Sequence, residues 1–360
     1  MNYQQILITG GAGFVGSNLA IWLKTHYPHT RIIAADNLRR RGSEANLPRL
    51  RQHNIEFVHC DIRNPEDLSF AGSQLDLILE CSAEPSVLAG YADGPGYVIN
   101  TNLLGTVNCL EVARRHKADL IFLSSSRVYP VRALNSLATF ETESRFELAP
   151  EQSLPGVSAR GIAENFPLSG TRSLYGATKL SAELLIQEYA EMYDLRCIIN
   201  RCGVLTGPWQ MGKVDQGVFA LWLAMHYFKR ELSYIGWGGQ GQQVRDLLHI
   251  ADLTELIDCQ LQNFATLAGE TFNVGGGREV SLSLLETTRL CQELTGNTIP
   301  IKSVPENRPA DLKLYLTDNS KIHQATGWLP KRSPHQTLED IFNWLKETEA
   351  EVRHLWGVGG

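Results

Sequence analysis

Short apolar runs alternate with longer amphipathic stretches through the first two hundred residues of the chain. The runs are rich in Val, Ile and Leu, which is typical of strands buried on both faces. Strands are predicted at 6–9, 31–36, 55–59, 75–81, 119–124 and 197–201. Helices are predicted most clearly at 15–26, 103–116 and 175–193. This alternation predicts a doubly wound α/β fold, whose ligands bind at the carboxyl ends of parallel strands.

The alternation stops after about Gly207, where glycine-rich turns follow at 236–241 and 275–277. We therefore expect a doubly wound first domain over 1–206. A smaller α/β lobe over 207–360 is expected to be interleaved with it rather than joined by a linker. The polar segment 132–172 is a long insertion into the first domain, and a loop of that length commonly covers a bound ligand.

Glycines 10, 13 and 16 lie between the first predicted strand and the first predicted helix. Glycine there permits a tight turn, close approach of a pyrophosphate to the backbone and close packing of helix on strand. An ordinary strand–helix turn also uses glycine. Asp36, at the end of the second strand, favours a dinucleotide, because its carboxylate accepts hydrogen bonds from both ribose hydroxyls. It also repels a 2′-phosphate, which favours NAD over NADP, although the basic run 39–41 leaves room for NADP.

Asp61 and Ile62 directly follow the third predicted strand. At that point they either flank the adenine of the cofactor or form a simple turn, and the sequence favours neither. The predicted NAD contacts up to this point are Gly10, Gly13, Phe14, Val15, Gly16, Asp36, Asn37, Asp61 and Ile62.

Tyr175 and Lys179 are four residues apart in a predicted helix and therefore face the same side. Ser124, Ser125 and Ser126 follow a predicted buried strand, so their hydroxyls are expected at the same crevice. A phenol with a pKa near ~10 is a poor base at neutral pH, but a lysine ammonium and an oxidised nicotinamide nearby both stabilise the phenolate. Tyr175 could then take a hydroxyl proton while a hydride leaves the same carbon. The structural alternative is a packed ring under a solvated amine.

Composition excludes several classes of protein. The net charge of −6 gives no basic footprint for nucleic acid, and the apolar stretch 218–228 is too short to span a membrane. The first residues do not fit a secretory signal. Seven scattered cysteines without a CxxC pair predict core thiols rather than disulfides or a metal site. We therefore expect a cytoplasmic protein with no metal and with neither nucleic acid nor membrane as a partner.

At these residues the chain resembles the extended short-chain dehydrogenase/reductase superfamily, particularly its nucleotide-sugar epimerases and dehydratases. The resemblance implies that the catalytic residues are Ser125, Tyr175 and Lys179, with Ser125 placed by counting back from Val-Tyr at 128–129. Ser125 would hold the reacting oxygen, and Lys179 would lower the pKa of Tyr175 and bind the nicotinamide ribose. The resemblance also implies that the NAD pocket is lined by Ser82, Ala83 and Asn102, and that Tyr175 and Lys179 contact the cofactor as well.

The two residues after Ser125 bear on which reaction is catalysed. By the same resemblance, 4,6-dehydratases carry an Asp-Glu pair there, and the related decarboxylases carry Glu in the second place. Those acids drive elimination or decarboxylation. Ser126 and Arg127 stand there in this chain, so we expect an epimerase, which needs no further acid or base.

Four segments resemble CDP-tyvelose (CDP-paratose) 2-epimerases in particular. They lie at 36–42, 141–146, 215–217 and 241–249. The acidic segment 141–146 could otherwise be a solvated loop, and 215–217 a turn. The resemblance implies an NAD-dependent nucleotide-sugar epimerase that inverts C2 of a CDP-linked dideoxyhexose by transient oxidation and re-reduction. The implied substrate contacts are Ser126, Arg127, Gln216, Arg245 and Arg308. The two arginines at 245 and 308 would hold the diphosphate, although either could be a surface ion-pair residue.

Other functions stay open from the sequence. One is a UDP-hexose 4-epimerase, because the choice of nucleobase is poorly encoded in these motifs. Another is a non-catalytic NAD-binding or RNA-binding Rossmann protein, against which the intact residues 125, 175 and 179 and the acidic net charge argue. The superfamily resemblance also implies a homodimer or higher homo-oligomer built on the helices near 103–116 and 175–193. The apolar positions of those helices could equally serve the core.

Overall fold

Seven strands form the central sheet of the computed structural model, which describes residues 3–71, 74–212 and 216–356. In spatial order they are β14 (Thr271–Val274), β10 (Cys197–Cys202), β5 (Asp119–Ser125), β4 (Leu77–Glu80), β1 (Gln5–Thr9), β2 (Arg31–Asp36) and β3 (Glu56–His59). The pairs from β3 to β5 are parallel. Because β2 and β3 lie on one side of β1 and β4 on the other, the strand order reverses between β1 and β4. Ligands bind at such a reversal in doubly wound sheets.

The chain divides into two compact units, each made of three segments. Unit 1 consists of Met1–Val128, Leu174–Arg201 and Thr254–Phe272, and unit 2 of Tyr129–Ser173, Cys202–Leu253 and Asn273–Gly360. Three of the boundaries cut through regular elements: before the last residue of β10, in the middle of β14 and within a helix at 253/254. The assignment of cofactor binding to 1–206 and of substrate binding mainly to 207–360 stays a prediction.

The helices of unit 1 pack on the sheet with apolar faces. They are α1 (Phe14–His26), α2 (Leu47–Gln52), α3 (Gly96–Ile99), α4 (Gly105–His116), α6 (Leu174–Tyr193), most of α8 (Ile250–Gln262) and α9 (Phe264–Leu267). Between α3 and α4 the chain makes one π turn, Asn100–Leu104. One continuous core joins alternate strand residues such as Leu7, Ile78 and Phe122 to Cys109 of α4 and Ile186 of α6.

Unit 2 carries smaller sheets and its own core. Its strands are β6 (Thr139–Glu141), β7 (Phe146–Leu148), β8 (Val157–Ser158), β9 (Gly161–Ile162), β11 (Val204–Thr206), β12 (Leu232–Ile235), β13 (Val244–His249), β15 (Ser281–Ser283), β16 (Ile301–Val304) and β17 (Leu314–Tyr315). Its helices are α5 (Val131–Asn135), α7 (Val218–Tyr227), α10 (Leu284–Thr295), α11 (Ser320–Thr326), α12 (Pro334–Glu347) and α13 (Glu349–Val352). The apolar helix α7 is buried among α10 and α12, as a helix that is hydrophobic on all sides must be. Of the described helices, none is long and apolar enough to span a membrane.

The segment 132–172 is not a featureless loop. It contains most of α5 and the two hairpins β6–β7 and β8–β9. The 141–146 motif forms the turn of the first hairpin, where Arg145 pairs with Glu147 at 2.9 Å and with Glu286 at 3.3 Å. Arg145 therefore anchors the hairpin to the start of α10, although Glu141 and Glu143 are exposed.

The predicted fold class is confirmed, and all six predicted strands are present with ends within two residues. The predicted break after Gly207 was incomplete, because the later strand β14 returns to the central sheet beside β10. All seven cysteines are free thiols, and five of them are buried.

Candidate active site

The turn between β1 and α1 is formed by glycines whose backbone lies too close to other backbone for a side chain. Gly10 has a φ of +63°, and a Cβ added there would lie 3.0 Å from the backbone nitrogen of Ser82. A Cβ at Gly16 would lie 2.2 Å from the carbonyl oxygen of Gly10. Gly13, directly before α1, would meet only that same oxygen, at 3.1 Å. The space before the α1 N-terminus is therefore open to phosphate oxygens, and the residues fit a dinucleotide.

Asp36 ends β2, and its carboxylate is tied to the turns on both sides. Its Oδ1 accepts a hydrogen bond from the Leu38 N–H at 2.8 Å, and its Oδ2 accepts one from the Ala12 N–H at 3.2 Å. Burial raises the pKa of Asp36, and the N–H groups of Leu38, Ala12 and Gly13 oppose that rise by stabilising the carboxylate. The acid is thus held beside the glycine turn, where it can accept hydrogen bonds from ribose hydroxyls.

The loops after β2 and β3 are joined through Asp61. Asn37 Nδ2 donates to Asp61 Oδ2 at 3.1 Å, and Arg63 Nη2 lies 2.5 Å from the same oxygen. Hydrogen bonds from Arg63 hold the pKa of Asp61 well below its usual range. Ile62 is buried, with its side chain where a Cβ on Gly105 would stand. Asp61 and Ile62 are therefore both held in place. A simple turn would also require this, so their contact with the adenine stays a prediction.

Arg39 belongs to the basic run that left room for NADP. Its guanidinium carbon lies 4.1 Å from the ring centroid of Tyr97, and that of Arg63 lies 5.1 Å from the same centroid. Both distances are typical of cation–π contacts. Arg39 thus contacts the Tyr97 ring. The carboxylate of Asp36 lies at the end of the strand before it.

Asn102 lies in the π turn and holds the segment after β4 in place. It is fully buried, its Oδ1 accepts from the Glu84 N–H at 2.7 Å, and its Nδ2 donates to the Glu84 carbonyl at 3.0 Å. The same Nδ2 lies 3.3 Å from Thr178 Oγ1. Asn102 therefore links the Ser82–Ala83 segment, which runs beside Gly10, to the helix that carries the Tyr–Lys pair.

The three predicted catalytic residues lie at the end of β5 and in the first turns of α6. Ser125 ends β5, and its Oγ accepts from the Arg127 N–H at 3.1 Å. Lys179 is only 2% exposed and donates from Nζ to the Leu123 carbonyl at 2.9 Å. Tyr175 is half-buried, one turn before Lys179 on the same helical face. Since α6 packs on β5 and on the turn Ser126–Val128, one edge of unit 1 carries all three side chains.

Ser124 is engaged in a different, structural contact. Its hydroxyl donates to Glu183, whose carboxylate pairs with Arg201 at 2.7 Å, and all three side chains are buried. Breaking such a buried pair by removing one partner typically costs several kcal/mol. Ser124 therefore has a structural partner in the interior, and the catalytic role of Ser125 stays a prediction.

One buried acid near this site was missed from the sequence. Glu80 ends β4, is fully buried, and accepts from Thr106 Oγ1 at 2.8 Å. Burial raises its pKa to about 7, against the opposing effects of the Lys179 charge and of the Thr106 hydrogen bond. The available signal was an acid as the last residue of an otherwise apolar strand, Leu-Ile-Leu-Glu at 77–80.

The arginines predicted to bind the substrate diphosphate meet at Asp311 in unit 2. Arg245 Nη2 lies 3.1 Å from Asp311 Oδ1 and donates to the Leu312 carbonyl at 2.6 Å. Arg308 Nη2 lies 3.9 Å from Asp311 Oδ2 and is partly exposed. Two guanidinium groups about one carboxylate leave a net positive charge, which suits a diphosphate.

The other predicted substrate residues are less constrained by the structure. Ser126 is buried and Arg127 half-buried in the turn after Ser125. Gln216 is half-buried just before α7, while Asp215 of the same motif lies outside the described residues. Their contact with a substrate stays a prediction.

The chain is similar to known proteins over most of its length. A family model described as the NAD dependent epimerase/dehydratase family matches residues 6–275. CDP-paratose 2-epimerase of Salmonella typhi is 30% identical over 353 residues, covering 94% of this chain and 98% of the relative. A bifunctional UDP-glucose 4-epimerase and UDP-xylose 4-epimerase of Pisum sativum is 26% identical and covers 99% and 98% of the two chains.

Among solved structures, dTDP-glucose 4,6-dehydratase of Bacillus anthracis in complex with NAD superposes with a TM-score of 0.77 at 26% identity. The match covers 98% of this chain and 99% of that one. Likeness therefore extends over the whole chain and includes a relative with NAD in its structure.

Proposed function

Because this chain belongs to the NAD-dependent epimerase/dehydratase family, we propose that it is a nucleotide-sugar epimerase acting at C2 of a CDP-linked dideoxyhexose. The pair of interest is CDP-paratose and CDP-tyvelose. The similarity to the Salmonella CDP-paratose 2-epimerase over nearly the full length supports this substrate class. Family relatives share folds across several reactions, so the choice of reaction depends on the residues at the site itself.

The observation that carries the proposal is the pair of residues after Ser125. Ser126 and Arg127 occupy the two positions where a dehydratase would need carboxylic acids for elimination. The Arg127 N–H donates to Ser125 Oγ, so this turn also orients the serine. Because neither position carries a carboxylate, oxidation of the sugar is expected to be followed by its re-reduction rather than by elimination or decarboxylation. That sequence of steps is epimerisation.

The chain's own residues would handle the proton and the oxygen of the reacting carbon. Reversible hydride transfer at that carbon is the chemistry that NAD supplies when bound. Ser125 donates a hydrogen bond to the reacting oxygen, and Tyr175 takes the hydroxyl proton and later returns it. Lys179 supplies a positive charge that stabilises the phenolate of Tyr175.

Cofactor binding is assigned to the glycine turn, Asp36 and the Asn102-held segment. The pyrophosphate would lie on the N–H groups at the start of α1, and the ribose hydroxyls on Asp36. Substrate binding is assigned to Arg245 and Arg308, which present positive charge about Asp311. Ser126, Arg127 and Gln216 complete the proposed substrate contacts.

A UDP-hexose 4-epimerase is the second candidate. The pea relative acts by name on UDP-glucose and UDP-xylose, and its match covers 99% of this chain, against 94% for the Salmonella enzyme. Inversion at C4 would use the same three catalytic residues, with the sugar turned differently in its pocket. The two candidates therefore differ in substrate fit rather than in catalytic groups.

We further infer a homodimer formed by α4 and α6. Leu184 and Met192 of α6 are 57% and 65% exposed, and Leu104, just before α4, is 50% exposed. Large apolar side chains exposed together on neighbouring helices are typical of an interface.

The first experiment incubates the purified protein, without added NAD, with CDP-tyvelose and with UDP-glucose in separate tubes, followed by proton NMR of the sugar. Conversion of the CDP-sugar to its C2 epimer is the expected result, and it also requires retained NAD. The Ser125→Ala variant in parallel excludes a contaminating epimerase. Galactose signals in the second tube would favour the 4-epimerase. If neither sugar is converted even after NAD is added, both candidate functions are contradicted.

A further inference from the structure

Glu80 is a fully buried acid that the proposed mechanism does not use. It ends β4, and its register partners are Thr9 on β1 and Phe122 on β5. Register partners in a parallel sheet project from the same face, so these three side chains stand in a row toward α4 and α6. Phe122 belongs to the apolar core on that face. An ionisable group here must find compensation for lost hydration.

A hydrogen-bond conflict surrounds one oxygen of Glu80. Thr106 Oγ1 lies 2.8 Å from Glu80 Oε1 and 2.9 Å from the Asn102 carbonyl oxygen. A threonine hydroxyl has one proton to donate. When Glu80 is ionised, Thr106 gives that proton to the carboxylate. When Glu80 is protonated, it can donate to Thr106, which then donates to Asn102.

The other oxygen, Oε2, has no hydrogen-bond partner within the described part of the chain. Neither does the buried hydroxyl of the register partner Thr9, judged over the same residues. A carboxylate left half-satisfied in an apolar core is costly. A carboxylate at this position therefore needs a positive charge nearby to offset the cost of its burial.

Lys179 is that charge. Its Nζ lies 4.3 Å from the centroid of the Phe122 ring and donates to the carbonyl of the next residue, Leu123. Phe122 is also the register partner of Glu80. The ammonium of Lys179 and the carboxylate of Glu80 therefore both adjoin one ring, inside a core with little water to screen them.

We propose that Glu80 is the buried counter-charge of Lys179, a positioning residue that keeps the ammonium protonated and extended along the end of β5. This inference rests on the proposed function in taking Lys179 as the partner of Tyr175. Glu80 acts through Lys179 and touches neither sugar nor cofactor.

The titration behaviour of the neighbourhood is consistent with this role. Burial raises the pKa of Glu80 to about 7, and the Lys179 charge is the foremost influence in the opposite direction. On α4, burial raises the pKa of the Cys109 thiol, which therefore stays neutral. Thr9 from β1 and Phe122 from β5 carry no charge. The other buried ionic groups beside Lys179, Glu183 of α6 and Arg201 of β10, pair with each other at 2.7 Å, so Glu80 is left to balance the charge of Lys179.

The test is the titration of Lys179 in NAD-bound enzyme with 13C-labelled lysine, followed by NMR and assigned with Lys179→Arg. Removing an opposite charge from a buried ammonium favours its neutral form. We expect Glu80→Gln, which keeps the size and the Thr106 contact, to lower the Lys179 pKa by at least about one pH unit. The pH at which the rate declines on the alkaline side of its profile should fall by the same amount.

Two further variants separate charge from structure. Glu80→Asp keeps the charge, so the pKa of Lys179 in this variant should lie close to that in the wild-type protein. Glu164→Gln, which removes a carboxylate that accepts the Asn273 N–H in unit 2, is the control and should leave it unchanged. An unshifted Lys179 titration in a folded Glu80→Gln protein would overturn the proposal. The NMR readout needs no sugar, so failure of the epimerisation assay and failure of this inference remain distinguishable.

Discussion

Tyr175 stands one turn before Lys179 on α6, and the proposed proton transfer depends on its hydroxyl alone. Replacing it with Phe keeps the ring and its packing while removing the group that takes the proton. We expect Tyr175→Phe to lose about 10²–10⁴-fold in turnover. NAD should stay bound, because the glycine turn and Asp36 are untouched. Turnover by NMR and NAD content by absorbance after gel filtration measure both.

The control for this variant is Tyr189→Phe on the same helix, whose hydroxyl bonds Glu111 of α4 instead. It should retain near-normal turnover. Near-normal turnover in Tyr175→Phe itself would contradict the proposed mechanism.

Glu80 also has a consequence for stability, with a defined sign. Its pKa is about 7 in the folded protein against 4.5 for an unperturbed glutamate, so folding is favoured when the acid is protonated. Stability from this group is complete below about pH 4.5 and is lost as pH rises toward 7. Glu80→Gln should therefore raise the free energy of unfolding at pH 8 relative to its effect near pH 5.

Urea unfolding at the two pH values measures this difference. An equal effect at both would mean that Glu80 does not titrate in the folded state. If Glu80→Gln is more stable and the pKa of Lys179 is lowered in it, Glu80 is a residue at which stability is sacrificed for function.

Single residues differed in how much the sequence alone could say about them. The glycines, Asp36, Tyr175 and Lys179 were recognisable because each has a spacing tied to one task. Glu80 was not, since an acid at the end of an apolar strand looks like the start of a loop. The shared partner of Arg245 and Arg308 was also out of reach, because Asp311 is distant from Arg245 in the chain.

At the scale of elements, the β1–α1 turn sets how closely helix and strand can pack. A Cβ at Gly16 would meet the Gly10 carbonyl at 2.2 Å, a backbone atom that cannot rotate away. Gly16→Ala should therefore displace the turn, cost about 1–3 kcal/mol or more, and release NAD during purification. Thermal unfolding and NAD content are the measurements.

Gly96, at the start of α3, is the matched control. A Cβ there meets nothing within 4 Å, so Gly96→Ala should be neutral or stabilise the helix by up to about 1 kcal/mol. Equal damage from both variants would show that the glycine turn is not specially constrained.

Strands and helices were predictable where hydrophobic period and length agreed. Five of the six early strands carry an apolar run of three or more residues, while β3 has only Phe57 and Val58. The helices α1 and α6 begin within a residue of their predicted starts. β14 escaped notice because its four residues include Asn273. The structure explains that residue, since its side chain accepts from Tyr129 at 2.8 Å and donates to the Ile162 carbonyl. Such partners are set by tertiary contacts rather than by local sequence.

For the whole molecule, the proposed dimer makes a direct prediction. Leu184→Arg introduces a charge at an exposed position of α6 and should yield a monomer in sedimentation velocity. Leu329→Arg, at a site 46% exposed in unit 2, is the control and should leave the mass unchanged. A wild-type monomer at micromolar concentration would contradict the inferred interface.

The overall arrangement of the sheet was predictable because parallel strands joined by helices admit few topologies. What the sequence could not show is that unit 2 is built from three separate segments. Each segment is too short and too varied in pattern to signal which neighbours it packs with.

The π turn between α3 and α4 has a final consequence. Asn100–Leu104 contains one residue more than an α-helical turn would hold. Deleting Leu103 or Leu104 would let α3 and α4 run as a single regular helix, but everything before the deletion, Asn102 included, would rotate by about 100° about the axis. A more regular helix would thus turn Asn102 away from Glu84. The irregularity keeps one amide aimed at the segment where we propose that the cofactor binds, and we expect a smoother helix to give a poorer enzyme.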